Sequence, residues 1–415
     1  MPESPDLSDK LEWFRDARLG MFVHWGMYAV LGRGEQILGR DLMPVDEYRP
    51  VADQFKPADD WAPRLARRAR QAGMKYVVLT TRHHDGYCLF DTDTDDFNAV
   101  QTGPGRDLIA EYVQALRDEG LGVGFYYSLA NWRWPGYFSP DRHPEDLDAM
   151  VEQVHAQVRE LLTNYGPIDV LWYDGEQVPG SHLHGMWDGA PINKAPAEFW
   201  RAEELESLTR SLQPDLLINN RSGIDGDFTT PEQQVESPKE DRPWEACMTL
   251  NFAPGWGYIR HSLANKNPGE VLFHLVDAVR QGGNFLFNVG PDADGYIDDR
   301  EGQVFDAVGR WLGRHGEAIY NTRLTGIYPT GGRVQGPGSQ YGMWTGRGRQ
   351  TYFTLFYYPG DPLIISKVAG TIESARCLTT DQPLDVKPLS NRRWEIGGLP
   401  DDPPDPLAPV VEVTW

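Results

Sequence analysis

Six short, almost uninterrupted apolar runs recur along the first three quarters of the chain, and each ends in polar or aromatic residues. They read "LGMFVHWG" (19–26), "KYVVLTT" (75–81), "GVGFYYSL" (122–129), "IDVLWYDG" (168–175), "DLLINN" (215–220) and "GGNFLFNVGP" (282–291). Between them lie longer stretches with helical spacing over 58–73, 107–120 and 146–166, each closing on a glycine, the usual helix stop. A strand that is apolar on both faces must be covered on both, so this repetition predicts a parallel sheet with helices packed outside it. His24, His83, His84, Asp85, Tyr127, Asp174, Asn219, Asn220 and Arg221 all stand at or just past the C-terminal ends of the runs. A barrel gathers those ends on one face, where its chemistry is built. An open doubly wound sheet shares that property, but no G-x-G-x-x-G follows the first run and no phosphate-binding lysine loop is present. The α/β pattern therefore reads as a (β/α)8-like (TIM-type) barrel. With six runs rather than eight, the ring is expected to be irregular.

From about residue 325 the pattern changes to short, alternating segments punctuated by Gly and Pro, with no helical periodicity. Residues 1–324 read as the barrel domain and 325–415 as a small antiparallel β domain. A chain of 415 residues is long enough for both. The formal net charge of −22 repels nucleic acid and anionic membranes, so neither is expected as a partner. Three scattered cysteines, Cys88, Cys247 and Cys377, supply neither a disulfide framework nor a Cys-based zinc site. The first residues, "MPESPDLSDK", lack the basic and apolar regions of a signal peptide, and no run approaches the ~18 apolar residues of a membrane span. The expected location is the cytoplasm.

The residues at the strand ends narrow the chemistry. Adjacent His83 and His84 on a straight strand point to opposite sides, which suits one metal ion poorly, and the zincin pattern is absent. Satisfying buried polar groups and donating to a polyhydroxylated ligand remain, and the latter is favoured by the nearby His24, Trp25, Asn131 and Trp132. Asp174 follows four apolar residues and precedes a glycine, so its carboxylate emerges from a buried strand. A carboxylate there must be paired with a cation such as Arg221 or used in chemistry. Glycoside chemistry requires a second carboxylate, and residues 226–249 offer Glu232, Glu236, Glu240 and Glu245 in a Gly/Pro-broken stretch. Composition alone does not choose among the four. Trp244, Trp256 and Tyr258 provide faces suited to a sugar ring.

Taken together, "RLGMFVHWG", "GMKYVVLTTRHHDGYCLF", "GRDLIAEYVQALRDEGLGVGFYYSL", "IDVLWYDGE", "WEACMTLNFAPGWGY" and "GGNFLFNVGPDADG" resemble alpha-L-fucosidases of glycoside hydrolase family 29, in the family's order and over about residues 11 to 320. The resemblance implies a catalytic barrel followed by a C-terminal β-sandwich. It also implies a retaining, exo-acting hydrolase that releases terminal alpha-L-fucose from glycans or glycosides without metal or organic cofactor. On this resemblance Asp174 takes the nucleophile position and Glu232 that of the acid/base, with Glu236 and Glu245 as lesser candidates. His24, Glu35, His83, His84, Tyr127, Trp172, Arg221 and Trp256 fall on sugar-binding positions, and Trp172, Phe252 and Trp256 are the candidates to face the sugar's C5 methyl. Where the family usually shows Glu-Trp after the first strand, this chain has Glu35-Gln36. Two other readings accompany this one. The sugar is a relative of similar configuration, such as L-galactose or L-glucose, or the chain is an inactive carbohydrate-binding relative.

Overall fold

Seven strands, one more than the sequence pattern indicates, form the first sheet of the computed structural model, which describes residues 7–139, 141–178, 194–238, 242–252, 255–323, 340–368 and 370–415. They are β1 (Leu19–Val23), β2 (Tyr76–Arg82), β3 (Gly122–Ser128), β4 (Val170–Asp174), β5 (Leu217–Ile218), β6 (Glu245–Thr249) and β7 (Asn284–Val289). All are parallel, in the order β5-β4-β3-β2-β1-β7-β6. The additional strand is β6. The main helices outside the sheet are α1 (Leu7–Ala17), α2 (Trp61–Gln71), α3 (Leu108–Asp118), α4 (Pro144–Asn164), α5 (Ala202–Leu212), α6 (Pro268–Arg280) and α7 (Asp299–His315). Their ends follow local chemistry. Asp107 caps α3 by accepting from Ala110 N–H, Asn267 and Glu270 form a reciprocal capping box at α6, and Gly73 lies just beyond α2 with φ +85°.

β5 and β6, the two ends of this order, do not pair with each other. The gap is filled by residues 227–233, which run between them as an irregular strand. Asp227 N–H donates to Ile218 O (2.7 Å), Glu245 N–H to Thr229 O (2.9 Å), Cys247 N–H to Pro231 O (3.0 Å) and Gln233 N–H to Cys247 O (2.8 Å). These bonds close the ring, so the expected irregular barrel forms with a connecting segment in place of a regular eighth strand. The segment is clipped at its start by Asp227 Oδ2, which accepts from Ile218 N–H (2.8 Å) and from Arg210 Nη2 (2.7 Å) on α5.

Alternation along each strand sorts side chains between the barrel interior and the helix layer. Phe22, Tyr76, Val78, Tyr126, Val170, Trp172, Leu217, Cys247 and Leu286 fill the interior, with Phe14 of α1 plugging its N-terminal end. Met21, Val77, Phe125, Leu171 and Phe285 pack instead against the helices. Crowding inside is severe enough to require glycine: a Cβ on Gly20 would lie 2.5 Å from the Tyr76 ring.

The second sheet is antiparallel: β8 (Gly342–Arg347), β9 (Gln350–Leu355), β10 (Leu363–Ile365), β11 (Ser374–Cys377), β12 (Gln382–Leu389), β13 (Arg393–Gly397) and β14 (Val410–Thr414), ordered β10-β13-β12-β11-β14-β9-β8. Trp344 on β8 and Leu363 and Ile365 on β10 come from opposite ends of that order yet share one apolar core with Phe353, Ile396 and Val411. A flat sheet keeps its edges apart, so this one folds onto itself as a sandwich. Trp311 Nε1 on α7 donates to Ala408 O (2.7 Å) and Phe273 of α6 packs on Phe356, joining the sandwich to the barrel helices. The expected boundary at residue 324 lies outside the described residues. No helix among them is long and apolar enough to cross a membrane.

The Asp227 clip has a direct test. Asp227→Ala leaves Ile218 N–H and Arg210 without their acceptor, so stability is expected to fall by about 1–3 kcal/mol. Amide exchange at Glu245 and Cys247, whose N–H groups bond to the closing segment, is expected to quicken. Wild-type urea midpoint and exchange rates in this variant would remove the segment's role in closure.

Candidate active site

A cavity of about 330 Å³ opens where the barrel strands end. Its lining includes His24, Gln36, His83, His84, Trp132, Trp172, Asp174, Arg221, Glu232 and Trp256, ten of the residues singled out in the sequence, together with Phe22, Tyr126 and Gln177. They arrive from several different strand ends, the arrangement a barrel provides without long-range design. The pair His83 and His84 needs more than a strand. The β2–β3 register shifts between Thr80 and Arg82, and the chain then turns, with Gly86 N–H donating to His83 O at 3.0 Å. That irregularity brings both imidazoles to one wall, their ring centres 4.1 Å apart.

The electrostatic centre is Arg221. Its Nη1 donates to Asp174 Oδ1 at 3.1 Å and to Glu232 Oε2 at 3.0 Å, while Nε and Nη2 are fixed by Thr230 Oγ1 (2.9 Å) and Thr230 O (3.0 Å). Two carboxylate oxygens bound to one nitrogen cannot lie more than about 6 Å apart, below the separation of roughly 6.5–9.5 Å used by inverting glycosidases. The other Asp174 oxygen accepts from the Tyr126 hydroxyl at 2.8 Å and lies 3.8 Å from His84 Nε2. Burial by itself would raise the Asp174 carboxyl, but Arg221, His84, the Tyr126 hydroxyl and Gly175 N–H together hold it below the usual aspartate value. It is an anion at neutral pH, poised at the cavity wall.

The histidines are set up to read hydroxyl groups. Asn288 Nδ2 donates to Trp256 O at 2.7 Å, which turns its Oδ1 toward His24 Nδ1, also at 2.7 Å. His24 must then donate from Nδ1 and keep Nε2 as an acceptor. Burial pushes its pKa down to about 3, so it stays neutral, and His83 is depressed for the same reason, reinforced by His84 and His24. Ser128 donates its hydroxyl to Ala130 O (2.9 Å) and so accepts from His84 Nδ1 (2.6 Å), aiming His84 Nε2 at Asp174. Among the described residues, no group of three or more His, Cys, Asp or Glu side chains is arranged to hold a metal ion.

Similarity to known proteins identifies the family to which this fold belongs. The alpha-L-fucosidase family profile matches residues 2–317. The chain belongs to the alpha-L-fucosidase family. Its relatives include the tissue alpha-L-fucosidase of Mus musculus, 28% identical over 97% of this chain and 90% of that protein. The alpha-L-fucosidase isoenzyme 1 from Paenibacillus thiaminolyticus superposes with a TM-score of 0.85 at 34% identity, covering 98% of this chain and 99% of that one. A trapped covalent intermediate of the GH29 alpha-L-fucosidase from Bacteroides thetaiotaomicron, in complex with 2-fluoro-fucosyl fluoride, superposes with a TM-score of 0.83 at 28% identity over 98% of this chain and 95% of that one.

Within this fucosidase-family site, three positions differ from the sequence expectation. Tyr127 does not reach the cavity. Its hydroxyl donates to Gln157 Oε1 of α4 (2.8 Å) and its ring packs under the Arg82 guanidinium, because strand alternation turns it to the helix layer and gives Tyr126 the cavity face. Glu35 stands behind the wall, where its Oε2 accepts from Trp256 N–H and Gly257 N–H, both at 2.8 Å. It therefore sets the Trp256 loop instead of lining the cavity. Phe252 is 58% exposed, with Lys266 over its ring, and takes no part in the lining. Of the alternative acids, Glu236 is exposed, Glu245 is buried below Trp172 and Glu240 lies outside the described residues; among the described residues Glu232 is the one that shares the cavity with Asp174. Asp85 anchors the turn, accepting from Tyr87 N–H and the Tyr48 hydroxyl. Tyr126, Asn288, Gln177 and Phe22 are the residues that sequence reasoning missed. Parity supplies the signal for the first, since Tyr126 pairs with Trp172 and Tyr127 with Tyr173 across β3 and β4.

The two tyrosines give a paired test. Tyr126→Phe removes a bond to the Asp174 carboxylate, so turnover is expected to fall by about tenfold or more, and the acid limb of kcat/KM to move to higher pH. Tyr127→Phe is expected to leave both unchanged. A shifted limb in the Tyr127 variant alone would reverse the assignment.

Proposed function

We propose that this protein is a retaining, exo-acting alpha-L-fucosidase in which Asp174 is the nucleophile and Glu232 the acid/base. The observation that carries the reading is Arg221 Nη1 bridging the two carboxylates at 3.1 and 3.0 Å, which suits a double displacement at one sugar carbon. Asp174 attacks the anomeric carbon as the glycosidic bond breaks, forming a glycosyl ester. Glu232 gives its proton to the departing oxygen, then takes one from water as that water attacks the ester and releases the sugar with its original configuration. Arg221 and Tyr126 keep Asp174 ionised and oriented for attack. His24, His83 and His84 offer hydrogen-bonding nitrogens to sugar hydroxyls, and the Phe22, Trp172 and Trp256 rings supply an apolar wall suited to the methyl group of fucose. A cavity closed at its base by the barrel core admits a terminal residue, which favours exo action.

Assay with nitrophenyl alpha-L-fucoside tests the substrate, and two variants test the roles. Asp174→Gly is expected to lose several orders of magnitude in turnover, on the order of 10⁴-fold or more, while remaining folded. Azide should restore part of the rate and give the glycosyl azide of inverted configuration. Near-normal hydrolysis by this variant would sink the mechanism. Glu232→Ala should slow fucosides with poor leaving groups far more than those with good ones, because only the former need a proton. Its azide product should retain configuration. Equal slowing across leaving groups would move the acid role elsewhere.

A further inference from the structure

One ionisable group inside the barrel takes no part in the chemistry above. Glu245 opens β6 and is fully buried. Its Oε2 accepts from the Tyr76 hydroxyl and its Oε1 from Trp172 Nε1 at 3.2 Å. Both donors belong to the apolar cluster that fills the barrel, where an indole N–H without an acceptor is costly. A carboxyl group in such a place is itself an expensive choice: burial pushes it up to about 7 against the lowering effect of its two hydrogen bonds. Core packing alone is met more easily by an aliphatic side chain.

What the indole supports gives the carboxyl its use. The Arg221 guanidinium lies over the Trp172 ring, 4.7 Å from its centre, and the Tyr126 ring stacks on Trp172 at 5.8 Å and 19°. Those two side chains donate to opposite oxygens of Asp174, at 3.1 and 2.8 Å. Rotation of the indole would therefore disturb both donors together. We propose that Glu245 is a positioning residue for the nucleophile: by holding the Trp172 indole through its N–H, it fixes the surface on which Arg221 and Tyr126 rest, and through them the two hydrogen bonds to Asp174. The proposal goes beyond the catalytic assignment and rests on Asp174 being the nucleophile.

The readout is the acid limb of kcat/KM, which reports Asp174. Arg221, His84 and Tyr126 favour its ionised form, Glu176 and Glu232 oppose it while sharing Arg221 with it, and His24 is neutral. Burial keeps the nearby Cys247 thiol and Tyr137 hydroxyl protonated. Glu245→Gln retains an acceptor for the indole and a donor for the Tyr76 oxygen, so its kcat and acid limb are expected to stay close to wild type. Glu245→Met is similar in volume but makes neither bond. Its kcat is expected to fall about tenfold to a hundredfold with a smaller change in KM, and its acid limb to move to higher pH as Asp174 loses its donors. Rates are referred to active enzyme titrated with 2-fluoro-fucosyl fluoride, so that misfolded protein is not counted as lost chemistry. If the Met variant does not fold, Tyr76→Phe removes one of the two bonds and should move the limb less, in the same direction. A Met variant with unaltered kcat and limb, whatever its melting temperature, overturns the proposal. So does a Gln variant as impaired as Met, or an unmoved limb in Tyr76→Phe where the Met variant does not fold. Retained activity in Asp174→Gly is a different result. It removes the nucleophile assignment, and the two failures are told apart.

Discussion

The guanidinium of Arg221 is the interaction on which the rest of the site depends. Two carboxylates facing one cavity repel each other, and a partly buried pair without a cation would take up a proton or splay apart. One nitrogen shared between Asp174 and Glu232 removes that conflict while keeping the two groups close. The guanidinium in turn needs its own restraint, since a free arginine would follow whichever carboxylate moved. Thr230 supplies it through a side-chain and a main-chain acceptor, and the Trp172 face supplies it from below. Position is thus set by the fold and not by the ion pairs themselves.

That restraint explains why the irregular closure of the barrel matters. Thr230 and Glu232 both belong to the segment that replaces a regular strand between β5 and β6. A strand presents alternate residues inward at fixed spacing. The bridging segment is held at Asp227, Thr229, Pro231 and Gln233 and follows its own path between them, carrying a threonine that grips the arginine and a glutamate that reaches the cavity. The stretch of the ring that lacks a regular strand is therefore the one that carries the acid, and its anchors have consequences for both stability and catalysis.

Much of this was legible in the sequence, for a physical reason. Parallel strands buried on both faces must be apolar throughout, so polar residues at their ends stand out, and His24, His83, Asp174 and Arg221 were visible on that ground. β6 escaped because it starts with a glutamate, Glu245, whose burial depends on partners from β2 and β4. Tyr126 and Tyr127 are chemically identical neighbours, and only the pleat separates them. Counting parity back from Trp172 and Asp174 through the β3–β4 register selects Tyr126, but the register itself is a tertiary fact. Glu35 carries the right chemistry for sugar binding, yet two backbone N–H groups contributed by the Trp256 loop, more than two hundred residues away, take up one of its oxygens. A sequence marks what a residue is able to do, while the donors and acceptors that reach it from elsewhere decide which of those capacities remains.

The same competition explains how charge is divided in the cavity. Three histidines at neutral pH offer a pool of protons, and a site that needs one stable anion is poorly served if they exchange with it. Burial settles this for His24 and His83 by removing the hydration that the imidazolium requires, and Asn288 fixes which nitrogen of His24 carries its single proton. The permanent positive charge then resides on Arg221, a group that does not give up its proton under any condition the fold survives. Hydrogen bonding to a neutral sugar and stabilisation of an anionic nucleophile are opposite demands on a cluster of bases. Here they fall to different residues: the neutral imidazoles of His24 and His83 serve the sugar, and the guanidinium, with His84 beside it, serves Asp174.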